Sequence, residues 1–103
     1  NLPTASPVAK AYFDNTNFEL AIISASAFTP GNGFSCGAQI EADLLKLARA
    51  KAKATYMMLD SSKIGKIMPY TFAHIEDIDV LITDDNFPAD LKALFTERNI
   101  VVM

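Results

Sequence analysis

The feature that most constrains this chain is a series of short, nearly unbroken apolar runs separated by segments of helical periodicity. Phe18 to Ala25 is the first run, Thr55 to Leu59 the second, Asp79 to Thr83 the third and Ile100-Val101-Val102 the last. Continuous apolar runs of this length suit strands covered on both faces, as in a parallel sheet. Between the first two runs, Gly37 to Lys53 places Ile40, Leu44, Leu47 and Ala48 on one stripe, with Glu41, Asp43, Lys46, Arg49 and Lys53 largely off it, which predicts an amphipathic helix. A second helix is expected from Pro88, with Leu91, Leu94 and Phe95 facing inward and Asn99 as its stop. A short helix is also expected over Ser6 to Asp14, where Ser6 can cap, Pro7 suits the first turn, and Val8, Ala11 and Tyr12 share a side. Tyr70 to Ile75 reads either as a short strand or as an irregular crossing. Such alternation of strand and helix predicts an α/β fold, a parallel doubly wound sheet with helices on both faces.

Composition narrows the class. With 103 residues, 50% hydrophobic and 20% charged, the chain can bury one modest core and is not a disordered polymer. No run of 18 apolar residues is present, so a membrane-spanning helix is excluded. The first residue is Asn1 and no signal-peptide pattern follows, so residues 1–103 are expected to be a single domain excised from a longer chain. The lone cysteine, Cys36, excludes an internal disulfide and a multi-cysteine zinc site and fits a reducing, cytoplasmic setting. No metal and no resident cofactor are expected.

The net charge is −3, from 9 basic and 12 acidic side chains, which argues against this domain itself wrapping nucleic acid. The charges are segregated. Lys46, Arg49, Lys51, Lys53, Lys63 and Lys66 fall in a stretch whose only anion is Asp60, whereas Glu76 to Asp90 holds six acids and no cation. These are either two solvated faces or, for the first, a cationic rim that draws in an anionic ligand.

Ligands of parallel α/β sheets sit at the carboxyl ends of the strands. Four places meet that rule here: Ser24-Ala25-Ser26, the loop from Gly31 to Ser35, Asp60-Ser61-Ser62-Lys63 and Thr83-Asp84-Asp85. Asp60, Ser62 and Lys63 offer a carboxylate, a hydroxyl and a cation able to meet a phosphate or a sugar hydroxyl; alternatively, Asp60 caps a turn and Lys63 is solvated. Ser24 and Ser26 let a ligand approach the backbone, or simply fill a tight bend. Gly33 and Ser35 open onto the long helix, whose first amides could face an anion, or belong to an ordinary loop. Glu41 either reaches a ligand or only complements the helix dipole. His74, Cys36, Met57 and Met58 read as structural residues, with Cys36 at a helix start and both methionines in the core. Asp84 and Asp85 read as turn and helix-start acids.

Two stretches then carry a resemblance. Thr55-Tyr56-Met57-Met58-Leu59-Asp60-Ser61-Ser62-Lys63-Ile64-Gly65-Lys66 resembles the Asp-x-Ser-Lys-apolar-Gly signature of DeoR-family transcriptional regulators. Ile75-Glu76-Asp77-Ile78-Asp79-Val80-Leu81-Ile82-Thr83-Asp84 is similar to that family's apolar-x-x-Ile-Asp-x-apolar-Ile-Thr-Asp stretch. The resemblance implies a C-terminal effector domain with a Rossmann-like fold, similar to ribose-phosphate isomerase and glucosamine-phosphate deaminase. It further implies a phosphorylated sugar effector, DNA bound only through an N-terminal winged helix-turn-helix outside this chain, and a homo-oligomer with no membrane partner. The family's upstream phosphate loop is likewise outside the chain, so only part of the pocket is expected here. By this resemblance Ser24, Ser26, Gly33, Ser35, Glu41, Asp60, Ser62 and Lys63 are the expected ligand-binding residues, and none is expected to be catalytic. Two departures stand out: Ser24-Ala25-Ser26-Ala27 where many members have Gly-x-x-Gly, and Leu45, with Lys46 beside it, where a lysine is frequent. A sugar-phosphate isomerase or deaminase fragment is the alternative.

Overall fold

The computed structural model describes residues 16–103, and the helix expected over Ser6 to Asp14 lies outside them. In chain order the elements are β1 (Phe18–Ser24), β2 (Ala27–Thr29), β3 (Gly33–Cys36), α1 (Gln39–Lys51), β4 (Ala52–Met58), β5 (Tyr70–Ala73), β6 (Val80–Ile82), α2 (Ala89–Glu97) and β7 (Val101–Val102). The four apolar runs became one parallel sheet of order β1-β4-β6-β7. This is the α/β, Rossmann-like architecture that the alternation predicts.

Register decides which side chains are buried. Ala21 lies beside Thr55, Ile23 beside Met57 and Met57 beside Leu81, so these residues share one face, and all of them are buried. Leu20, Ile22 and Met58 point the opposite way and are 42%, 56% and 46% exposed. The expectation of strands covered on both faces therefore holds for one face only among the described residues. Met58, expected in the core with Met57, is on the open side because neighbouring strand residues alternate. Beyond the parallel ladder, Asp79 and Thr55 bind each other twice: the Thr55 amide donates to Asp79 Oδ2 at 2.8 Å, and the Asp79 amide donates to Thr55 O at 2.9 Å.

A second, antiparallel sheet of order β2-β3-β5 was not expected as a unit. Its strands are three or four residues long, too short to show a period of two. The glycine-bearing loop read as a ligand loop is the hairpin turn between β2 and β3, where the Asn32 amide donates to Thr29 Oγ1 at 3.0 Å. Gly33 ends this turn at φ +76°, and a Cβ there would lie 2.4 Å from Ala73 O and 2.7 Å from His74 Nδ1. Only glycine fits.

The second sheet supplies the aromatic part of the core. Phe28 and Phe34 are fully buried with ring centroids 4.5 Å apart, and Phe95 of α2 packs on them at 5.5 and 6.3 Å. Phe87 adds an edge-on contact to Phe95 at 6.0 Å. Helix α1 touches both sheets and buries Ala42, with Leu45 packed against the core. Ile40, placed on its inner stripe by periodicity, is 57% exposed. The expected stripe is rotated because a helix wedged between two sheets admits a small residue at closest approach. Helix α2 ends as expected, with Asn99 at φ +65° and the Ile100 amide returning to Phe95 O at 3.0 Å.

Candidate functional site

The carboxyl ends of β1, β4 and β6 open onto a cleft of about 370 Å³, a size suited to a small metabolite. Ser24 and Ala25 border it at the end of β1, Asp60 and Lys63 beyond β4, and Thr83 and Asp84 beyond β6. Met58, Leu59 and Ile82 supply apolar surface between these groups. Parallel strands create this convergence, because every strand delivers its exit loop to the same edge.

The Asp60 turn is built by its own side chains. Asp60 accepts from the Ser62 amide at 2.9 Å and from the Ser62 hydroxyl, and Ser61–Lys63 forms one turn of 3-10 helix capped by this carboxylate. Lys63 Nζ lies 3.5 Å from Asp60 Oδ2 and keeps 38% of its side chain exposed. The turn is also tied across the cleft. Asp84 Oδ2 accepts from the Ser61 amide at 2.9 Å and from Ser61 Oγ at 3.1 Å, while Asp84 Oδ1 accepts from the Asn86 amide at 3.0 Å. Hydrogen bonds from Ser62, joined by the nearby Lys63 ammonium, hold the Asp60 carboxyl below the usual carboxylate range. Hydrogen bonds from Ser61 and Asn86 do the same for Asp84. Both groups are anionic at neutral pH.

The expected site residues divide into two sets. Ser24, Asp60 and Lys63 come together in the cleft. Ser62 stands on the same turn, but its hydroxyl is spent on Asp60. Ser26 lies past the end of β1, its amide donating to Ser35 O at 3.0 Å. Gly33 and Ser35 are buried in β3 of the second sheet, where the Ser35 hydroxyl accepts from the Met68 amide at 3.0 Å. Glu41 is in the first turn of α1. None of these last four borders the cleft, so the common hollow expected for Ser24, Gly33 and Lys63 gathers Ser24 and Lys63 without Gly33. The hairpin explains the difference: residues 31–35 turn back on themselves and do not cross the strand ends.

The cationic rim also resolves into separate pairs. Among the described residues Lys63 is the cation at the cleft, whereas Arg49 lies 3.7 Å from Asp77 and Lys53 lies 3.4 Å from Glu19. Cys36 is buried at the end of β3, not at a helix start, and burial pushes its thiol pKa up, which disfavours the nucleophilic form. Thr83 and Asp84 were recognised as a strand end but not as site residues. The strand-end rule singles out Thr83-Asp84-Asp85 as a place, but residue type alone reads its acids as turn and helix-start residues. Among the described residues no cluster of His, Cys, Asp and Glu could hold a metal ion, and no helix is long and apolar enough to cross a membrane.

Comparison with known proteins places this site in context. Residues 2–85 match the DeoR C-terminal sensor domain. The chain belongs to that family. Among curated relatives, this sensor domain is 29% identical over 97 residues to the HTH-type transcriptional regulator GlpR of Haloferax volcanii, covering 94% of the chain and 38% of the relative. It is 32% identical over 95 residues to the HTH-type transcriptional regulator YulB of Bacillus subtilis, covering 91% and 37%. It is 28% identical over 89 residues to the HTH-type transcriptional regulator GolR of Listeria innocua, covering 86% and 35%. The DeoR-type sensor chain thus spans little more than a third of the length of these relatives.

Proposed function

We propose that this sensor domain binds a phosphorylated sugar and thereby controls DNA binding by a winged helix-turn-helix N-terminal to it. The regulator so formed is a cytoplasmic, homo-oligomeric repressor of a sugar-utilisation operon. The observation that carries this reading is the convergence of Ser24, Asp60 and Lys63 in one small cleft at the strand ends of a DeoR sensor domain. A serine hydroxyl, a carboxylate and an ammonium are the groups that hydrogen-bond a polyol and meet an anion. The effector acts by binding one arrangement of the regulator better than another, which shifts its operator affinity by that difference.

Sensing is favoured over turnover by the state of the carboxylates. An isomerase or deaminase needs a base poised near neutral pH. Asp60 and Asp84 are instead engaged by hydrogen bonds from Ser62, Ser61 and Asn86, which lower their pKa and keep them as anionic acceptors at neutral pH.

The reading is tested on the intact regulator with promoter DNA of its own operon. Fluorescence anisotropy is recorded with and without ribose 5-phosphate, fructose 1-phosphate and glucosamine 6-phosphate. A change of about fivefold or more in DNA affinity with one of them, the usual lower range of allosteric coupling, is the expected result. Identical DNA affinity with and without all three would remove the sugar-phosphate reading.

A further inference from the structure

Thr83 follows β6 directly and borders the cleft beside Asp84. Its backbone is satisfied, the amide donating to Met103 O at 3.1 Å. Its side chain is not: Oγ1 is turned out of solvent and has no hydrogen-bond partner among the described residues. Buried hydroxyls are nearly always paired, because an unpaired one forfeits its hydration without return. Valine has the same shape and carries no such penalty, so stability alone does not call for threonine at this position.

The polar side chains of the Asp60 turn are engaged with one another and with Asp84. The Ser61 hydroxyl donates to Asp84, the Ser62 hydroxyl donates to Asp60, and Lys63 is paired with Asp60. Threonine turns about χ1 in staggered steps, each of which carries Oγ1 to the place of Cγ2 or of the Cβ hydrogen. To meet a ligand in the cleft that the residue borders, Oγ1 leaves its enclosed position by one such step.

We propose that Thr83 Oγ1 is a ligand-binding hydroxyl that reads an uncharged hydroxyl on the carbon chain of the effector. This rests on the sugar-phosphate reading above and adds to it where the phosphate is not. The wall around Thr83 holds two anionic carboxylates, Asp60 and Asp84, against one ammonium already paired with Asp60. Asp60 and Asp84 on this wall accept hydrogen bonds from sugar hydroxyls, whereas Lys63 on the β4 side is the group that meets an anion. Thr83 therefore sets specificity for a hydroxyl-bearing carbon, and the phosphate lies away from the β6 end.

Calorimetry on the intact regulator tests this with ribose 5-phosphate, fructose 1-phosphate and glucosamine 6-phosphate, comparing wild type with Thr83→Val and Thr83→Ser. Thr83→Val is expected to weaken the sugar phosphate that wild type binds by about tenfold, the usual effect of losing one ligand hydrogen bond, while Thr83→Ser stays within about threefold. The loss is expected to be the same at low and high salt, since no phosphate contact is removed, and the ligand-free melting temperature of Thr83→Val is expected to match or exceed wild type. Equal binding by wild type and Thr83→Val, equal losses in both variants, or a loss that shrinks with salt would overturn the assignment while leaving the sensing role intact. Failure of wild type to bind any of the three overturns both.

Discussion

Asp84 holds Ser61. One carboxylate oxygen at the end of β6 accepts both the backbone amide and the hydroxyl of the residue that starts the Lys63 turn, at 2.9 and 3.1 Å. The two residues are 23 positions apart in sequence. The position of Lys63 over the cleft is therefore set by the neighbouring strand as well as by its own turn. The Ile-Thr-Asp stretch and the Asp-x-Ser-Lys stretch are two halves of one structural unit.

Replacing Asp84 should loosen the turn without unfolding the domain. In Asp84→Ala the Ser61 and Asn86 amides lose their acceptor. Their hydrogen exchange is expected to accelerate at least about tenfold, with core amides such as Leu81 unchanged, because such openings are local. Unchanged exchange at Ser61 would show that the turn is held by other contacts.

Acid should release the same unit. Asp60 and Asp84 have folded-state pKa values below the ordinary carboxylate value of 3.8. A group depressed in this way contributes stability that is fully present above its unfolded pKa and is lost as pH falls through its folded pKa. Both contributions are thus complete at neutral pH and disappear only below pH 3.8. Carboxyl chemical shifts followed by NMR should give midpoints below 3.8 for both residues; midpoints at or above that value would contradict the hydrogen bonding described here.

The core prediction concerns Phe95. It is fully buried and joins α2 to the second sheet through Phe28 and Phe34. Phe95→Ala is expected to cost about 3–5 kcal/mol in denaturant unfolding, as large aromatic truncations do. A loss below about 1 kcal/mol would mean that the surroundings collapse into the space.

The parallel sheet was legible because its strands are apolar runs that hydrophobicity alone reveals, and Asn99 as a helix stop was legible from its tolerance of positive φ. The second sheet was not. Ala27–Thr29 and Gly33–Cys36 are shorter than any periodic signal, and their pairing to each other and to Tyr70–Ala73 depends on contacts distant in sequence. That omission explains the treatment of Gly33 and Ser35, whose polar or flexible character serves a hairpin and a buried Met68 amide. Asp60 and Lys63 stand out in the sequence as a carboxylate and a lysine straight after a strand, and the structure brings both to the cleft while also building the alternative, a turn capped by Asp60 with Lys63 beside it. The Thr83-Asp84-Asp85 strand end was legible as a place, but the unpaired Thr83 hydroxyl was not, being a property of coordinates and not of residue type.

The central claim is that the strand-end cleft carrying Lys63 is the effector site, and the most direct test is calorimetry of sugar phosphates against the intact regulator, wild type and Lys63→Ala. The Lys63–Asp60 pair is solvent-exposed, and such pairs contribute little to stability, so the variant is expected to fold normally. The account predicts that one sugar phosphate binds wild type and that Lys63→Ala weakens it by about tenfold or more, the loss of one charge-assisted contact. Equal affinity of the two proteins for that ligand would place the effector elsewhere.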